Sequence, residues 1–310
     1  MILCCGEALM DMIPFPTGSG QDGFVPHPGG SVFNTAIGLG RLGVKTGLLT
    51  GLSTDMFGTL LLASLRDNRV DTDHVILSDR PTTLAFVHLV SGQASYSFFD
   101  ENSAGRMLTP NDVPKIPKSV QAMFFGGISL ACEPAADTFA TLLENEKTDR
   151  LVMLDPNVRP SFISDEGRYR ARLNRMLSQS DIVKTSDDDL DCLFPGPSAI
   201  EDKAVRLLSK GPTLVVLTRG DRGASVFTSD GRDVSVSAKP VQVVDTVGAG
   251  DAFNAGFLTR LSELDLLSKE KLTKVSTGMI TDCLGLAVEI AALTVARSGA
   301  SPPGRHDVSL

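Results

Sequence analysis

Clusters of positive charge are absent from this sequence, and their absence narrows the partners it can have. The 310 residues include 29 Lys and Arg against 37 Asp and Glu, so the formal net charge is −8 at pH 7. Nucleic acids and anionic membrane surfaces attract proteins through concentrated positive charge. We therefore expect neither as a partner, and a phosphate-bearing ligand would have to be held by local backbone dipoles and a few cations.

Disulfide and metal-site patterns are missing as well. The five cysteines form no C-x-x-C pair, and their odd number does not fit a disulfide framework. The four histidines are scattered, without the spacing of a zinc site. The N-terminus lacks the basic start of a signal peptide, and we find no run of about 18 apolar residues that would span a bilayer. These absences favour a reducing cytoplasm as the location.

What the sequence does contain is an alternation of short apolar runs and longer amphipathic stretches. The apolar runs are unbroken, as in the strands of a parallel sheet covered on both faces, and lie at residues 1–5, 46–50, 123–125, 151–154, 182–183 and 213–217. Helices are predicted at residues 31–42, 59–68, 135–146, 169–178, 199–209 and 249–264. The repeated order predicts an α/β fold with a doubly wound, mostly parallel sheet, formed by residues 1–310 as a single domain.

Two segments, 12–28 and 82–104, depart from this rhythm. The first is rich in Gly and Pro and is too irregular for a crossover helix. The second alternates in the manner of paired strands, with a plausible hairpin turn at Ser91-Gly92-Gln93. We predict that together they form a small β-sheet lid beside the main sheet. Two surface loops are the alternative.

The most informative segment is residues 243–256, VVDTVGAGDAFNAG. An apolar lead-in ends at Asp245, small residues follow at 248–250, and a helical pattern then begins. Successive N–H groups at a helix start, without bulky side chains, form a pocket for an anion. Asp251, in the first turn, could merely complement the helix dipole. A carboxylate beside bound phosphate is unfavourable, however, unless it has a chemical role such as taking a proton from an attacking hydroxyl.

A second constellation is the run GGSVFN, from Gly29 to Asn34. Its two glycines allow close approach of the backbone, and Asn34 comes one turn into the next predicted helix. The amide of Asn34 can both donate and accept hydrogen bonds, which suits a polyol. A glycine turn followed by an ordinary helix start is the alternative.

These two segments resemble the two signatures of the PfkB (ribokinase-like) carbohydrate kinases. Gly29, Gly30 and Asn34 match the first signature, and the run from Asp245 to Asp251 matches the second. They occur in the family's order and separation, and the resemblance covers essentially the whole chain. It implies a doubly wound α/β domain with a β-sheet lid. It also implies an ATP-dependent sugar kinase that uses Mg²⁺, in which Asp251 deprotonates a sugar hydroxyl and residues Gly248, Ala249 and Gly250 hold the transferred phosphate.

Further runs are similar to fructokinases within that family. They are LDPNVRP at 154–160, FGGISLA at 125–131, and SFF at 97–99. The similarity implies fructose as the acceptor, with 2-keto-3-deoxygluconate or another sugar as the alternative. 2-Keto-3-deoxygluconate carries a carboxylate, so a site that binds it needs extra positive charge. The stretch at 98–102 is acidic, which favours a neutral sugar. Arg106 would reverse this preference if it points inward.

The resemblance also assigns roles residue by residue. The residues expected to bind the sugar are Asp11, Gly29, Gly30, Asn34, Phe98 and Arg159. Those expected to bind ATP are Lys184, Asp187, Thr218, Arg219, Gly220, Gly223, Thr246, Gly248 and Gly250. Asp187 stands where the family often has glutamate, and being shorter it is expected to reach Mg²⁺ through water. A monovalent cation such as K⁺ is a further option near Asp245 and residues 298–301. Arg159 has a surface ion pair as its alternative.

A rival fingerprint, G-x-G-x-x-G, occurs from Gly38 to Gly43 and would indicate a nicotinamide-binding oxidoreductase. Its context is wrong, because residues 31–37 before it are predicted to be helix where the fingerprint requires a strand. We interpret these glycines as small packing residues and a helix stop. A sugar-binding protein without catalysis is a second rival, but Asp251 and residues 248–250 are intact. Since sheet edges need cover, a homodimer through the lid is a further expectation.

Overall fold

The structure is a computed structural model that describes residues 1–18, 22–90 and 93–308. Its strands are β1 Ile2–Cys5, β2 Leu9–Pro16, β3 Asp22–Gly29, β4 Thr46–Ser53, β5 Val70–Asp71, β6 Val75–Ser78, β7 Leu84–Val90, β8 Gln93–Phe99, β9 Ala122–Gly126, β10 Leu151–Asp155, β11 Ile182–Ser186, β12 Leu214–Thr218, β13 Ala224–Thr228 and β14 Asp233–Val236. Its helices are α1 Ser31–Arg41, α2 Met56–Asp67, α3 Ala135–Glu146, α4 Glu166–Gln179, α5 Asp187–Leu193, α6 Ile200–Leu208, α7 Ala249–Glu263, α8 Lys269–Leu272 and α9 Thr277–Val295.

A 10-stranded sheet forms the centre, in the order β14-β13-β12-β11-β10-β9-β1-β4-β5, with β6 also paired to β4. The strands from β12 to β5 are parallel, and β13 and β14 are antiparallel additions at one edge. This confirms the predicted α/β fold with its mostly parallel sheet. The two edge strands were not predicted from the sequence.

Helices cover both faces of this sheet, which explains why its strands are unbroken apolar runs. In β1, Ile2 and Cys4 join the core beneath α1, α7 and α9, while Leu3 and Cys5 join the core beneath α3 and α4. Successive strand residues point to opposite faces, so two buried faces require every position to be apolar.

Helix α9 is the main element that the sequence interpretation missed. Its 19 residues have the length and composition of a membrane span, with a window of mean hydropathy 1.6, so the expectation that no such run exists was wrong. Half of that window is buried within the protein. The buried side includes Leu284, Ala287 and Ile290, which belong to the same core as α7.

The two irregular segments form a separate four-stranded sheet in the order β3-β2-β7-β8. Strand β2 pairs with β7 in parallel, and the β2–β3 and β7–β8 pairs are antiparallel. The second pair ends at Val90 opposite Gln93, and residues 91–92 of the turn predicted at Ser91-Gly92-Gln93 lie outside the described residues. A small sheet is therefore present where one was predicted. That segments 12–28 and 82–104 act as a lid of a single domain stays a prediction.

Candidate active site

Two helix starts face each other at the candidate site, and Asp251 joins them. Ser31 Oγ donates a hydrogen bond of 2.6 Å to Asp251 Oδ1, and Asn34 Nδ2 donates one of 3.0 Å to Oδ2. Asp251 is only 9% exposed. The fold thus brings the two predicted signatures into direct contact, although Ser31 and Asp251 are 220 positions apart in the sequence.

The pKa of Asp251 is raised above the usual value for an aspartate. Burial is the largest cause, and the nearby Asp155 carboxylate adds to it. The hydrogen bonds from Ser31 and Asn34 and the Lys184 cation oppose the rise because they stabilise the charged form. A raised pKa makes Asp251 a better proton acceptor than an exposed aspartate.

The side chain of Ser31 is itself oriented by a third residue. Asn157 Nδ2 donates to Ser31 Oγ at 3.0 Å, which directs the hydroxyl hydrogen towards Asp251. Asn157 has a positive φ of 41°, a left-handed conformation that asparagine tolerates. Neither Ser31 nor Asn157 was assigned a role from the sequence, although both lie in runs that carried the resemblance.

The start of α7 is where the anion pocket was predicted, and the amide groups there differ in whether they are free. Gly248 caps the helix at a φ of 77°, and a methyl group in its place would lie 2.6 Å from the Ala300 Cβ. The Ala249 amide is engaged, because it donates to the Thr246 carbonyl at 3.3 Å. Within the described residues, the amides of Gly248 and Gly250 make no hydrogen bond. Two of the three predicted amides are thus available to an anion.

Lys184 supplies positive charge beneath this pocket. Its Nζ lies 3.0 Å from Asp155 Oδ2, which also accepts a 2.7 Å hydrogen bond from Asn254. A Cβ atom on Gly250 would lie 3.3 Å from the same nitrogen, so the ammonium sits directly against the loop. Burial alone would lower the pKa of Lys184, but the Asp155 and Asp189 carboxylates outweigh it and raise that pKa. Lys184 therefore stays charged beside Gly250 at the start of α7.

A buried glutamate holds the other helix start. Glu7 Oε1 accepts from the Ser31 amide at 2.9 Å, and Glu7 Oε2 accepts from the Ser129 amide at 3.2 Å. Gly30, which precedes α1, has a φ of 108° and no side chain with which to cap the helix. Glu7 performs that capping from a different strand exit, so a search for a local capping residue could not identify it.

Two of the predicted sugar-binding residues, Asp11 and Phe98, lie on one face of the small sheet. Asp11 pairs with Ala85, and Ala85 pairs with Phe98, so the three side chains point the same way. Burial and then repulsion from Asp251 raise the pKa of Asp11 to about 6. The ring of Phe98 also packs edge-on against that of Phe162, with 4.2 Å between the ring centroids. This contact connects the small sheet to the segment after Arg159.

Arg159 itself is exposed, and within the described residues its guanidinium donates only to the Val158 carbonyl, at 3.1 Å. The surface ion pair considered as its alternative is not present among the described residues. Gly29 lies close to Asp11, because a Cβ atom on Gly29 would be 2.1 Å from the Asp11 carboxylate. The structure thus places Asp11 beside Gly29, with Phe98 on the same face of the small sheet, and leaves Arg159 exposed.

The predicted nucleotide segment follows β12. Thr218 Oγ1 donates to the Thr185 carbonyl at 3.1 Å, and Arg219 is held by Glu201 at 2.8 Å and by Ser225 at 2.9 Å. Gly220 and Gly223 both have positive φ, of 55° and 93°. Thr246, on the facing loop, is exposed.

The two residues predicted to lie near cations, Asp187 and Asp245, have different partners within the protein. Asp187 forms an ion pair with Arg222, so contact with Mg²⁺ through water would compete with that arginine. Asp245 accepts from the Val247 amide at 3.0 Å and from the Gly299 amide at 2.9 Å, which ties residues 298–301 to the phosphate loop. In the part of the chain that the structure describes, no group of three or more His, Cys, Asp or Glu side chains could hold a metal ion.

The nicotinamide fingerprint is excluded by its position in the fold. Gly38 and Gly40 lie inside α1, and Cβ atoms there would be 2.7 Å from Ala255 and 2.0 Å from the Asn68 carbonyl oxygen. Gly43 follows the helix end with a φ of 84°. The interpretation of these glycines as packing residues and a helix stop is confirmed.

Known proteins match the chain throughout its length. The model of the pfkB family carbohydrate kinases matches residues 1–306. The chain is 48% identical over 275 residues to a fructokinase of Rhizobium leguminosarum bv. trifolii, covering 89% of this chain and 84% of that protein. A crystal structure of fructokinase with bound ATP from Xylella fastidiosa superposes with a TM-score of 0.89 at 28% identity, covering 96% of this chain and 93% of that one. A fructokinase variant from Vibrio cholerae O395, in fructose, ADP and potassium ion bound form, gives 0.84 at 28% identity over 96% and 93%. The chain belongs to the pfkB family of carbohydrate kinases.

Proposed function

We propose that this carbohydrate kinase transfers the γ-phosphoryl group of ATP to a hydroxyl of fructose, with Asp251 as the general base. The observation that carries the proposal is the position of Asp251 between the two helix starts. Ser31 and Asn34 hold its oxygens, and its own helix begins at Gly248. A carboxylate at that junction can accept the proton of a hydroxyl directed at a phosphate on the helix start.

The transfer is a direct in-line displacement. The sugar oxygen forms a bond to the γ-phosphorus, the bond to the β,γ-bridging oxygen breaks, and ADP leaves. Asp251 takes the hydroxyl proton, while the amides of Gly248 and Gly250 and the Lys184 ammonium stabilise charge on the transferred group. Mg²⁺ carried on the ATP oxygens supplies further neutralisation when bound, since it keeps several waters and rarely needs a protein cage.

Fructose is favoured over a carboxylate-bearing sugar by the charges at the sugar end. Arg106, the cation that could have reversed this preference, is committed to Asp100 at 3.2 Å and to the Glu133 carbonyl at 3.1 Å. Asp11 adds negative charge on the lid face. The fructokinase relatives support the same choice.

A monovalent cation near Asp245 forms part of this proposal. The Vibrio cholerae fructokinase structure contains a potassium ion, and Asp245 here fixes the loop at 298–301 through Gly299. K⁺ bound there would hold the loop against Gly248, where Ala300 already packs. We also propose a cytoplasmic location and a homodimer that buries the lid.

The test is release of ADP, coupled to a spectroscopic readout, with fructose, 2-keto-3-deoxygluconate, ribose and adenosine as acceptors. We expect fructose to give the highest kcat/KM. A higher value for 2-keto-3-deoxygluconate would overturn the choice of sugar and leave the kinase chemistry standing. Sugar binding without ADP release from any acceptor would contradict the catalytic proposal itself.

A further inference from the structure

A second, arginine-lined cleft lies at the far end of α1 from the candidate active site. Its volume is about 640 Å³, within the range of small-molecule sites. Helix α1 begins at Ser31, beside Asp251, and ends at Arg41, in the cleft wall. Ten residues of helix separate the two ends by roughly 15 Å, at about 1.5 Å per residue. The cleft is therefore distinct from the phosphate pocket at Gly248.

Four arginines line this cleft in a protein whose net charge is −8: Arg41, Arg69, Arg297 and Arg305. Two of them have acidic partners. Arg297 pairs with Asp307 at 3.1 Å, and Arg305 pairs with Glu263 at 3.0 Å. The remaining two have no ion pair within the described residues, and Asp67 is the one lining acid besides Asp307.

Arg41 keeps hydrogen-bonding capacity and an unneutralised charge. Its Nε donates to Asn68 at 2.6 Å and its Nη1 to the Pro302 carbonyl at 2.8 Å and to Ser301, all neutral groups. Its Nη2 makes no hydrogen bond in the described part of the chain. Burial and then repulsion from Arg297 lower the pKa of Arg41, and an anion bound nearby would offset both causes.

Arg305 has a second donor without a partner in the described residues. Its Nη1 is buried and has no hydrogen-bond partner among residues 1–18, 22–90 and 93–308. Leaving a buried donor unpaired is unfavourable, and an incoming acceptor would relieve it. Arg69, which also lines the cleft, is exposed and has no side-chain hydrogen bond in the same ranges.

We propose that this cleft binds the phosphate group of a small metabolite. Planar guanidinium groups match phosphate oxygens in geometry and charge, and two of the arginines that line the cleft, Arg41 and Arg305, each keep a donor without a partner in the described residues. The cleft is also linked to the nucleotide side, because Arg41 holds residues 301–302 while Gly299 holds Asp245. The site does not depend on which sugar the enzyme phosphorylates.

The test is calorimetric titration of inorganic phosphate into the enzyme saturated with a non-hydrolysable ATP analogue, Mg²⁺ and fructose, so that the phosphate pocket at Gly248 is already filled. We expect one remaining site per chain. The Arg69→Gln/Arg305→Gln variant should weaken that binding by about tenfold or more, the scale of lost charge-assisted hydrogen bonds. Arg66→Gln, which removes an equally exposed arginine of α2 outside the cleft, should leave it unchanged.

Absence of phosphate binding to the saturated wild-type enzyme would overturn the proposal. Equal weakening in the Arg66→Gln variant would overturn it too, because it would indicate a diffuse charge effect. If the double variant does not melt cooperatively, Arg69→Gln alone carries the test, since the Arg69 side chain makes no bond that holds the described fold together.

Discussion

The Asp251 carboxylate is positioned by hydrogen bonds from Ser31 and Asn34, and the bond from Ser31 is the shorter of the two. Ser31 contacts the carboxylate at 2.6 Å and is itself oriented by Asn157 at 3.0 Å. These contacts join residues that are far apart in sequence, so no local pattern reveals them. The sequence identified Asp251 and Asn34 because each lies in a distinctive motif, and it missed Glu7, Asn157 and Asn254 because their partners are known only from the fold.

Replacing Ser31 by Ala should move the acid limb of the pH–rate profile to higher pH. The Ser31 hydrogen bond opposes the burial that raises the pKa of Asp251, so its loss raises that pKa further. Because the base must be unprotonated, kcat/KM on the acid limb should fall about tenfold, the scale of a lost bond to a charged group. Ser180→Ala, another buried serine with its own hydrogen bond, is the control. An unmoved acid limb in Ser31→Ala would contradict this account.

Asp11 should make sugar affinity depend on pH. Its pKa is raised to about 6 by burial and by Asp251, so as pH falls through that value the carboxylate protonates and loses acceptor capacity. The KM for fructose should therefore rise there by several-fold, and Asp11→Asn should remove that pH dependence.

The same variant should stabilise the unliganded protein at neutral pH. The folded-state pKa of Asp11 lies above its unfolded value, so ionising this group favours the unfolded chain as pH rises through both values. Thermal melting of Asp11→Asn against wild type measures this difference. A lower melting temperature for the variant at neutral pH would count against the burial of Asp11.

At the scale of elements, helix starts rather than helix interiors carry the site. Both α1 and α7 begin at a glycine with positive φ, Gly30 at 108° and Gly248 at 77°. The sequence located these starts well because glycines and apolar runs mark them. It missed β13 and β14, which are antiparallel edge strands outside the strand–helix rhythm. It also missed α9, whose nearly continuous apolar run has little helical periodicity.

Replacing Gly248 by Ala should impair both stability and activity. The left-handed backbone costs about 1–2 kcal/mol for a residue with a Cβ atom, and the added methyl group would meet Ala300 at 2.6 Å. Gly43→Ala is the matched control, because its φ is 84° but nothing lies within 4 Å of the new Cβ. We expect Gly43→Ala to lower the melting temperature and preserve kcat, and Gly248→Ala to lower both. Equal kcat values in the two variants would contradict a role for this loop.

At the scale of the whole molecule, the lid presents an aromatic cluster that a partner could cover. The ring of Phe86 packs edge-on against those of Phe24 and Phe99, with 5.0 and 5.4 Å between the respective ring centroids. Phe99 remains 59% exposed. Exposed apolar clusters on a sheet are typical of interaction surfaces. A second copy of the chain is the partner that we propose.

Phe99→Asp should therefore shift the protein from dimer to monomer in sedimentation velocity, raising the dimer Kd by about tenfold or more through burial of an unpaired charge. Leu77→Asp is the control, since Leu77 is 58% exposed and lies outside the lid. A wild-type protein that sediments as a monomer at all concentrations would contradict the proposed assembly.

In the mechanism that we propose, the chemistry depends on one carboxylate, Asp251, placed between a sugar-binding helix start and a phosphate-binding helix start. The most direct measurement is kcat, with the KM for ATP and for fructose, of Asp251→Ala and of the isosteric Asp251→Asn. We predict that both variants keep each KM within several-fold of wild type, while kcat falls by roughly 100-fold or more, the scale of a lost general base. Near-normal kcat in either variant would contradict the assignment.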